Sequence, residues 1–315
     1  MSKPRKPTGA KGATRRSATP GRVPAGGTAR SRAGAAKGRV GGGARGRGGV
    51  GGAPRDPRSG SRRRQGLGGD QVEGRQAVRE LLLAGRRKVR EVWLLAGSEQ
   101  SAILEDIVEL AEGQRVPTRE VGRSKFLAEA RCEAPQGVLA KAAPLLEVSL
   151  DDLATARPGG RPPFLVAVDG VTDPGNLGAV LRSAECAGAT GVVLPRHRAV
   201  HVTPTVTKAA AGAVEHLGFA VVGGLPSALQ ELRKHGVWVV GLDADGGTDL
   251  WDLPAADGPI AVVLGAEGAG LSRLTRQRCD DVVSIPLAGS LPSLNVAAAA
   301  ALACYEVARA RSARA

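Results

Sequence analysis

With 315 residues, 42% of them hydrophobic, the chain has enough apolar material for two domains with real cores, so it is not disordered throughout. Cys132, Cys186, Cys279 and Cys304 lie far apart with no C-x-x-C pair, which fits a reducing cytoplasm, and no apolar stretch is long enough to span a membrane. The net charge of +14 belongs to one end: residues 1–69 hold 18 Lys and Arg against one acid, Asp56, leaving residues 70–315 at −3.

Residues 1–69 contain 19 glycines and no aromatic residue or isoleucine; the first aromatic is Trp93. So little apolar surface cannot offset the entropy of ordering, and the segment is expected to be a disordered basic tail. Within it, "GRVGGGARGRGGVGG" (38–52) sets arginines on a flexible chain free to follow a phosphate backbone. A solubilising or mistranslated extension is the alternative. An import peptide fits less well, because repeated Gly and Pro break any amphipathic helix.

Residues 70–146 read as a small α/β domain: helix 73–85, strand 89–97, helix 103–113, strand 116–122, helix 125–131 and strand 137–143. Residues 147–163, with their Pro and Gly, read as a linker. Residues 164–315 then alternate strand and helix. Strands are predicted at 164–170, 191–195, 219–222, 237–244, 259–265 and 282–287, with helices from about Leu177 to Ala187, over 203–216 and 226–236, from Leu271, and from Ser293 onward. Continuous apolar strands between helices predict a parallel sheet covered on both faces.

In such sheets ligands bind beyond the carboxyl ends of strands. Three loops stand out there: "DGVTDPGNLGAVLRSAE" (169–185), "LGAEGAGLS" (264–272) and "IPLAGSLPSLNVAAAA" (285–300). The glycines at 265, 268 and 270 give G-x-x-G-x-G, which is not a dinucleotide fingerprint, and no phosphate-cradling P-loop is present. His197 and His201 share i,i+4 spacing, but they flank a loop with no third ligand near, so no metal is expected.

Together the three segments resemble the motifs of the SpoU (TrmH-like) RNA ribose 2′-O-methyltransferases of the SPOUT superfamily, over residues 72–312. "HVTPTVTKAAAGAVEHL" (201–217) and "VWVVGLDADG" (237–246) look most like the RlmB-type enzymes, which methylate a guanosine of 23S rRNA. The resemblance implies a C-terminal SPOUT domain whose parallel sheet ends in a deep trefoil knot, S-adenosylmethionine as cofactor, a homodimer, an RNA substrate and a small RNA-binding domain in front. General folding rules alone would give an unknotted sheet.

The resemblance also assigns roles. Arg182 matches the catalytic arginine, Asn176 the first-motif asparagine, Glu267 the second-motif glutamate, and Ser293 and Asn295 the third-motif pair; cofactor contacts fall to Gly265, Ile285 and Leu294. Other roles for these residues are local. Arg182 could pair with Glu185 at i+3, and Asn176 or Ser293 could cap a helix. Glycine at 265 suits the cofactor role, because a chain that closely approaches a ligand has no room for a Cβ. Two positions depart from the RlmB pattern: Pro135 stands where a histidine usually precedes Gln-Gly, and Ala297 where a serine follows "SLNV". The alternatives are a tRNA 2′-O-methyltransferase of the same family and a non-catalytic RNA-binding or ribosome-assembly factor.

Overall fold

The computed structural model describes residues 67–99, 101–156, 160–197, 201–253 and 255–313. The tail through residue 66 and Arg198 lie outside the described residues. Leu67 is buried in the core of the larger sheet, and Gly69 donates its N–H to the Val202 carbonyl (2.9 Å). Residues 67–69, grouped with the tail by composition, are therefore part of the fold.

The first sheet contains β1 (Gln71–Glu73), β2 (Val89–Leu95), β3 (Thr118–Val121) and β4 (Val138–Ala142) in the order β1-β4-β2-β3; β2 and β3 run parallel and the other pairs antiparallel. The period of two along β4 separates two cores. Val138, Ala140 and Ala142 meet α1 (Arg75–Ala84) and α2 (Ala102–Gly113), while Leu139 joins Trp93 and Phe126 of α3 (Arg123–Glu129). Helix α1 buries Ala77, Val78, Leu81 and Leu82, a single stripe, and ends at Gly85 in the left-handed conformation (φ 57°). The linker also holds a short helix, α4 (Leu150–Ala154), capped by Ser149, which accepts the Asp152 N–H.

The second sheet is wholly parallel. Its strands are β5 (Phe164–Val168), β6 (Gly191–Pro195), β7 (Gly218–Val222), β8 (Trp238–Leu242), β9 (Thr248–Asp249), β10 (Ile260–Leu264) and β11 (Asp281–Ser284), in the order β7-β6-β5-β10-β8-β11-β9. Every residue of β5 and β10 is buried, as expected of strands covered on both faces. Phe164, Val166 and Val168 face α5 (Pro174–Cys186), α6 (Pro204–Ala209) and α9 (Val296–Ser312), while Leu165 and Ala167 share the opposite core with α7 (Leu225–Lys234). A single-turn helix, α8 (Arg273–Arg276), precedes β11.

Four predicted elements change. The helix expected over 203–216 breaks after α6, where Ala211 (φ 49°) and Gly212 (φ 88°) turn the chain into a 3-10 turn. A Cβ on Gly212 would lie 2.4 Å from Cβ of Glu80, so the break lets the two sheets' helices approach. The helix from Leu271 is only α8, and the strand predicted to Leu287 stops at Ser284. Helix α5 starts at Pro174 rather than Leu177, because Asp173 caps it and proline at the first position is preset for helix.

Arg87 and Glu215 join the two sheets. The Arg87 guanidinium meets both Glu215 carboxylate oxygens (2.6 and 2.9 Å) and donates to the carbonyls of Ala143 (2.6 Å) and Gly69, with both side chains almost fully buried. Arg86 donates to the Glu215 carbonyl (2.9 Å). A buried pair satisfied this fully fixes geometry rather than adding much net stability.

Candidate active site

The loops after β5, β10 and β11 converge at the carboxyl ends of the parallel sheet, where β8 separates β10 from β11, and each contributes one member of a hydrogen-bonded trio. At the start of α5, Asp173 Oδ2 accepts the Asn176 N–H (2.7 Å), which fixes the backbone and leaves the Asn176 amide free. Asn176 Nδ2 then donates to Glu267 Oε1 (2.6 Å). Asn295 Nδ2 reaches both Asn176 Oδ1 and Glu267 Oε1 (3.0 Å each).

Asn295 also caps α9, its Oδ1 accepting the N–H groups of Ala297 (2.9 Å) and Ala298 (3.4 Å). The cap anticipated at Ser293 therefore falls two residues later, and the one anticipated at Asn176 belongs to Asp173. One amide serves both ends of its chemistry: its oxygen holds the helix and its nitrogen holds the trio.

Glu267 is carried on a tight turn closed by reciprocal bonds between Ala266 and Gly270 (3.0 and 2.9 Å), with Gly268 (φ 74°) and Gly270 (φ 65°) left-handed. A Cβ on Gly265 would lie 2.3 Å from the Gly270 carbonyl carbon. The glycine is thus required by the chain folding back on itself.

Beside the trio is a pocket of about 720 Å³. Gly265, Glu267, Ile285, Ser293, Leu294 and Asn295 all line it, so six of the eight residues singled out in the sequence share one cavity. Asn176 joins it through Glu267. The loop after β8 adds Asp243 and Asp245, which the sequence reading missed; an acid after an apolar strand was the available signal. Burial works to raise the Asp243 carboxyl, but the amides of Asp245 and Leu271 and the Arg276 guanidinium outweigh it and hold the group below its usual range.

Arg182 lies two turns along α5 from Asn176, is exposed and does not line the pocket. Among the described residues it makes no ion pair, so the local pairing with Glu185 is not formed. His197 and His201 form no metal group among the described residues. The potential ligands that do come within 4.8 Å of one another are Asp151, Glu231 and His235, and Glu231 there is already engaged by Lys234 (2.8 Å).

Comparison with known proteins places this geometry. The model of the SpoU rRNA Methylase family matches residues 163–305, and that for RNA 2′-O ribose methyltransferase substrate binding matches residues 71–148. A Ralstonia nicotianae protein named 23S rRNA (guanosine-2′-O-)-methyltransferase RlmB is 41% identical over 240 residues, spanning 76% of this chain and 95% of its own. A Photobacterium profundum protein of the same name is 36% identical, spanning 77% and 98%. Among solved structures, the SpoU methyltransferase AviRb from Streptomyces viridochromogenes in complex with AdoMet is similar with a TM-score of 0.64 and 28% identity, over 77% of this chain and 90% of that one. With matched family models on both sheets and relatives aligned over nearly their whole length, the chain belongs to the SpoU rRNA methylase family.

Proposed function

We propose that this chain is an S-adenosylmethionine-dependent RNA methyltransferase that methylates the ribose 2′-hydroxyl of a guanosine in 23S rRNA. The observation that carries the reading is the trio Asn176, Glu267 and Asn295, bonded together at the wall of the 720 Å³ pocket. The lining fits the cofactor: Leu242, Ile285 and Leu294 offer apolar surface to an adenine, and Asp245 and Glu267 offer carboxylates to a cation. When bound, S-adenosylmethionine supplies a methyl group already activated by its sulfonium charge.

The chain's own residues then have to align and control charge. Gly265, Ile285 and Leu294 hold the cofactor, largely through backbone. The Arg182 guanidinium grips the phosphate beside the target ribose and steadies charge developing on the 2′-oxygen. Asn176 and Asn295 fix Glu267 where the N-termini of α5 and α9 converge, and Ser293 borders the ribose side of the pocket.

The same reading extends to architecture. The first sheet, within residues 70–146, serves as the RNA-binding module and residues 164–315 as the methyltransferase module. We read the segment after β11 as drawn through a trefoil knot; its support is the strand order, in which β10 enters between β5 and β8 after both are laid down. A homodimer is supported by Leu302 and Tyr305, exposed on one face of α9 beside its run of alanines. A cytoplasmic setting is supported by four free cysteines. No helix among the described residues is long and apolar enough to cross a membrane.

The test is to incubate the protein with S-adenosylmethionine and either 23S rRNA or tRNA and to map 2′-O-methyl groups by mass spectrometry. One methylated guanosine in 23S rRNA is expected. Methylation of tRNA alone would move the substrate, and RNA binding without methylation of either would replace the enzyme with an assembly factor. Sedimentation at micromolar concentration tests the dimer; a fully active monomer would refute it.

A further inference from the structure

We propose that Asp243 is the positioning residue of the cofactor pocket, tying the loop after β8 to the glycine-rich loop after β10. It rests on the pocket being the S-adenosylmethionine site. Asp243 is the first residue beyond β8; its N–H donates to the Val283 carbonyl (3.0 Å) and its own carbonyl accepts from Gly246 (3.1 Å), so its backbone is fixed from both sides. Its side chain is only 13% exposed.

Three of that carboxylate's roughly four acceptor sites are used by the protein. Oδ1 accepts the Asp245 N–H (3.1 Å) and the Arg276 guanidinium (3.0 Å), and Oδ2 accepts the Leu271 N–H (3.2 Å). Arg276 closes the circuit by donating to the Asp245 carbonyl (2.7 Å). One side chain therefore links three segments: the loop 243–246, the end of the turn 265–271, and α8. A largely buried carboxylate engaged by two backbone amides and a guanidinium is poorly suited to receive a substrate proton. Its effect is on where the loops sit.

The turn it holds has little intrinsic order. Three glycines fall within 265–271, two of them left-handed, and such residues lose the most freedom on ordering. Asp243 Oδ2 would lie 2.9 Å from a Cβ on Gly270, so the carboxylate closes directly over the turn that carries Glu267. Asp243, Asp245, Gly265, Glu267 and Gly270 all border the pocket. With the tie cut, the loop must be ordered at the expense of cofactor binding.

Asp243→Asn keeps the size of the side chain but removes the charge that both Arg276 and the Leu271 amide address. Calorimetric titration with S-adenosylmethionine alone is expected to show Kd raised about tenfold or more, with the single-turnover rate at saturating cofactor reduced by a smaller factor. A thermal melt confirms folding. Kd within twofold of wild type, or a rate loss with Kd unchanged, overturns the proposal. Should the Asn variant not fold, Arg276→Met removes only the guanidinium and is expected to raise Kd about threefold; an unchanged Kd there overturns it equally. If wild type itself does not bind S-adenosylmethionine, the pocket assignment fails and the proposal falls with it. If wild type binds and the variants match it, only the role of Asp243 fails.

Discussion

Asn295 separates structural from functional use of one side chain, because its two ends do different work. Asn295→Ala removes the α9 cap, worth about 1 kcal/mol, and two donor bonds that, being exposed, contribute at the low end of about 0.5–1.5 kcal/mol each. The expected loss is about 2 kcal/mol, or roughly 4–8 °C in Tm for a body of this size. Asn295→Asp keeps a strong cap acceptor and adds a negative charge at a helix N-terminus, yet loses both donors and sets a carboxylate about 3 Å from Glu267 Oε1. At that separation like charges repel by about 1.4–5.5 kcal/mol between aqueous and surface-like screening, which pushes Glu267 off its place. Because Glu267 is exposed and can turn away into solvent, most of that repulsion is relieved, so the Asp variant should melt no lower than Asn295→Ala and still lose at least about tenfold in methyl transfer, equivalent to about 1.4 kcal/mol of barrier. Melting by circular dichroism and single-turnover methylation check the two halves. Wild-type activity in Asn295→Asp would show that the trio is incidental to the chemistry, and an unshifted melt in Asn295→Ala would show that the cap is not holding α9.

Three further outcomes are expected. Arg182→Ala should lose nearly all methyl transfer while binding S-adenosylmethionine as wild type does; activity within about threefold of wild type would remove Arg182 from the reaction. Arg87→Met should cost about 3–5 kcal/mol by leaving the Glu215 charge buried and unpaired, whereas Arg87→Met with Glu215→Leu should recover much of it; equal destabilisation by the single and double variants in urea unfolding would contradict this. Removing the basic tail, with the shortened chain beginning at Gln65 so that Leu67 keeps its place, should weaken cognate and unrelated RNAs alike and make the slope of log K against log salt shallower. An unchanged slope would contradict an electrostatic tail, and lost discrimination between RNAs would show that it reads sequence or shape.

The strands of the large sheet were legible because burial on both faces leaves continuous apolar runs such as "FLVAV" and "IAVVL". The pocket residues were legible by motif. What the sequence hid was whatever a distant partner decides. The break at Gly212 is set by Glu80, 132 positions earlier, and the Arg87–Glu215 pair joins residues 128 apart. β1 and β9, at three and two residues, are too short to show a period of two. Ser293 and Asn295 are both good cap residues; the bonds from the Asn295 amide to α5 and to the turn at Glu267 place the helix start at the second.

The site divides into fixed and free groups, and the division follows from how each is anchored. Asn176 and Asn295 stand at the starts of α5 and α9, which pack on each other and share a core that holds Leu177, Leu181, Ala300 and Ala303, so their separation is set by a buried interface. Glu267 is held on a turn closed by backbone bonds. Bringing these three together therefore orders little that the fold had not ordered already, and exposed hydrogen bonds, each of small net worth, suffice to lock them. Arg182 is the opposite case: a long side chain on the same helix α5, exposed and without an ion pair among the described residues. On the proposed function, a cofactor pocket favours walls that do not move, while a group proposed to find a phosphate on an arriving RNA gains from reach. The rigid trio and the free guanidinium, only six residues apart where they share α5, fit those two demands.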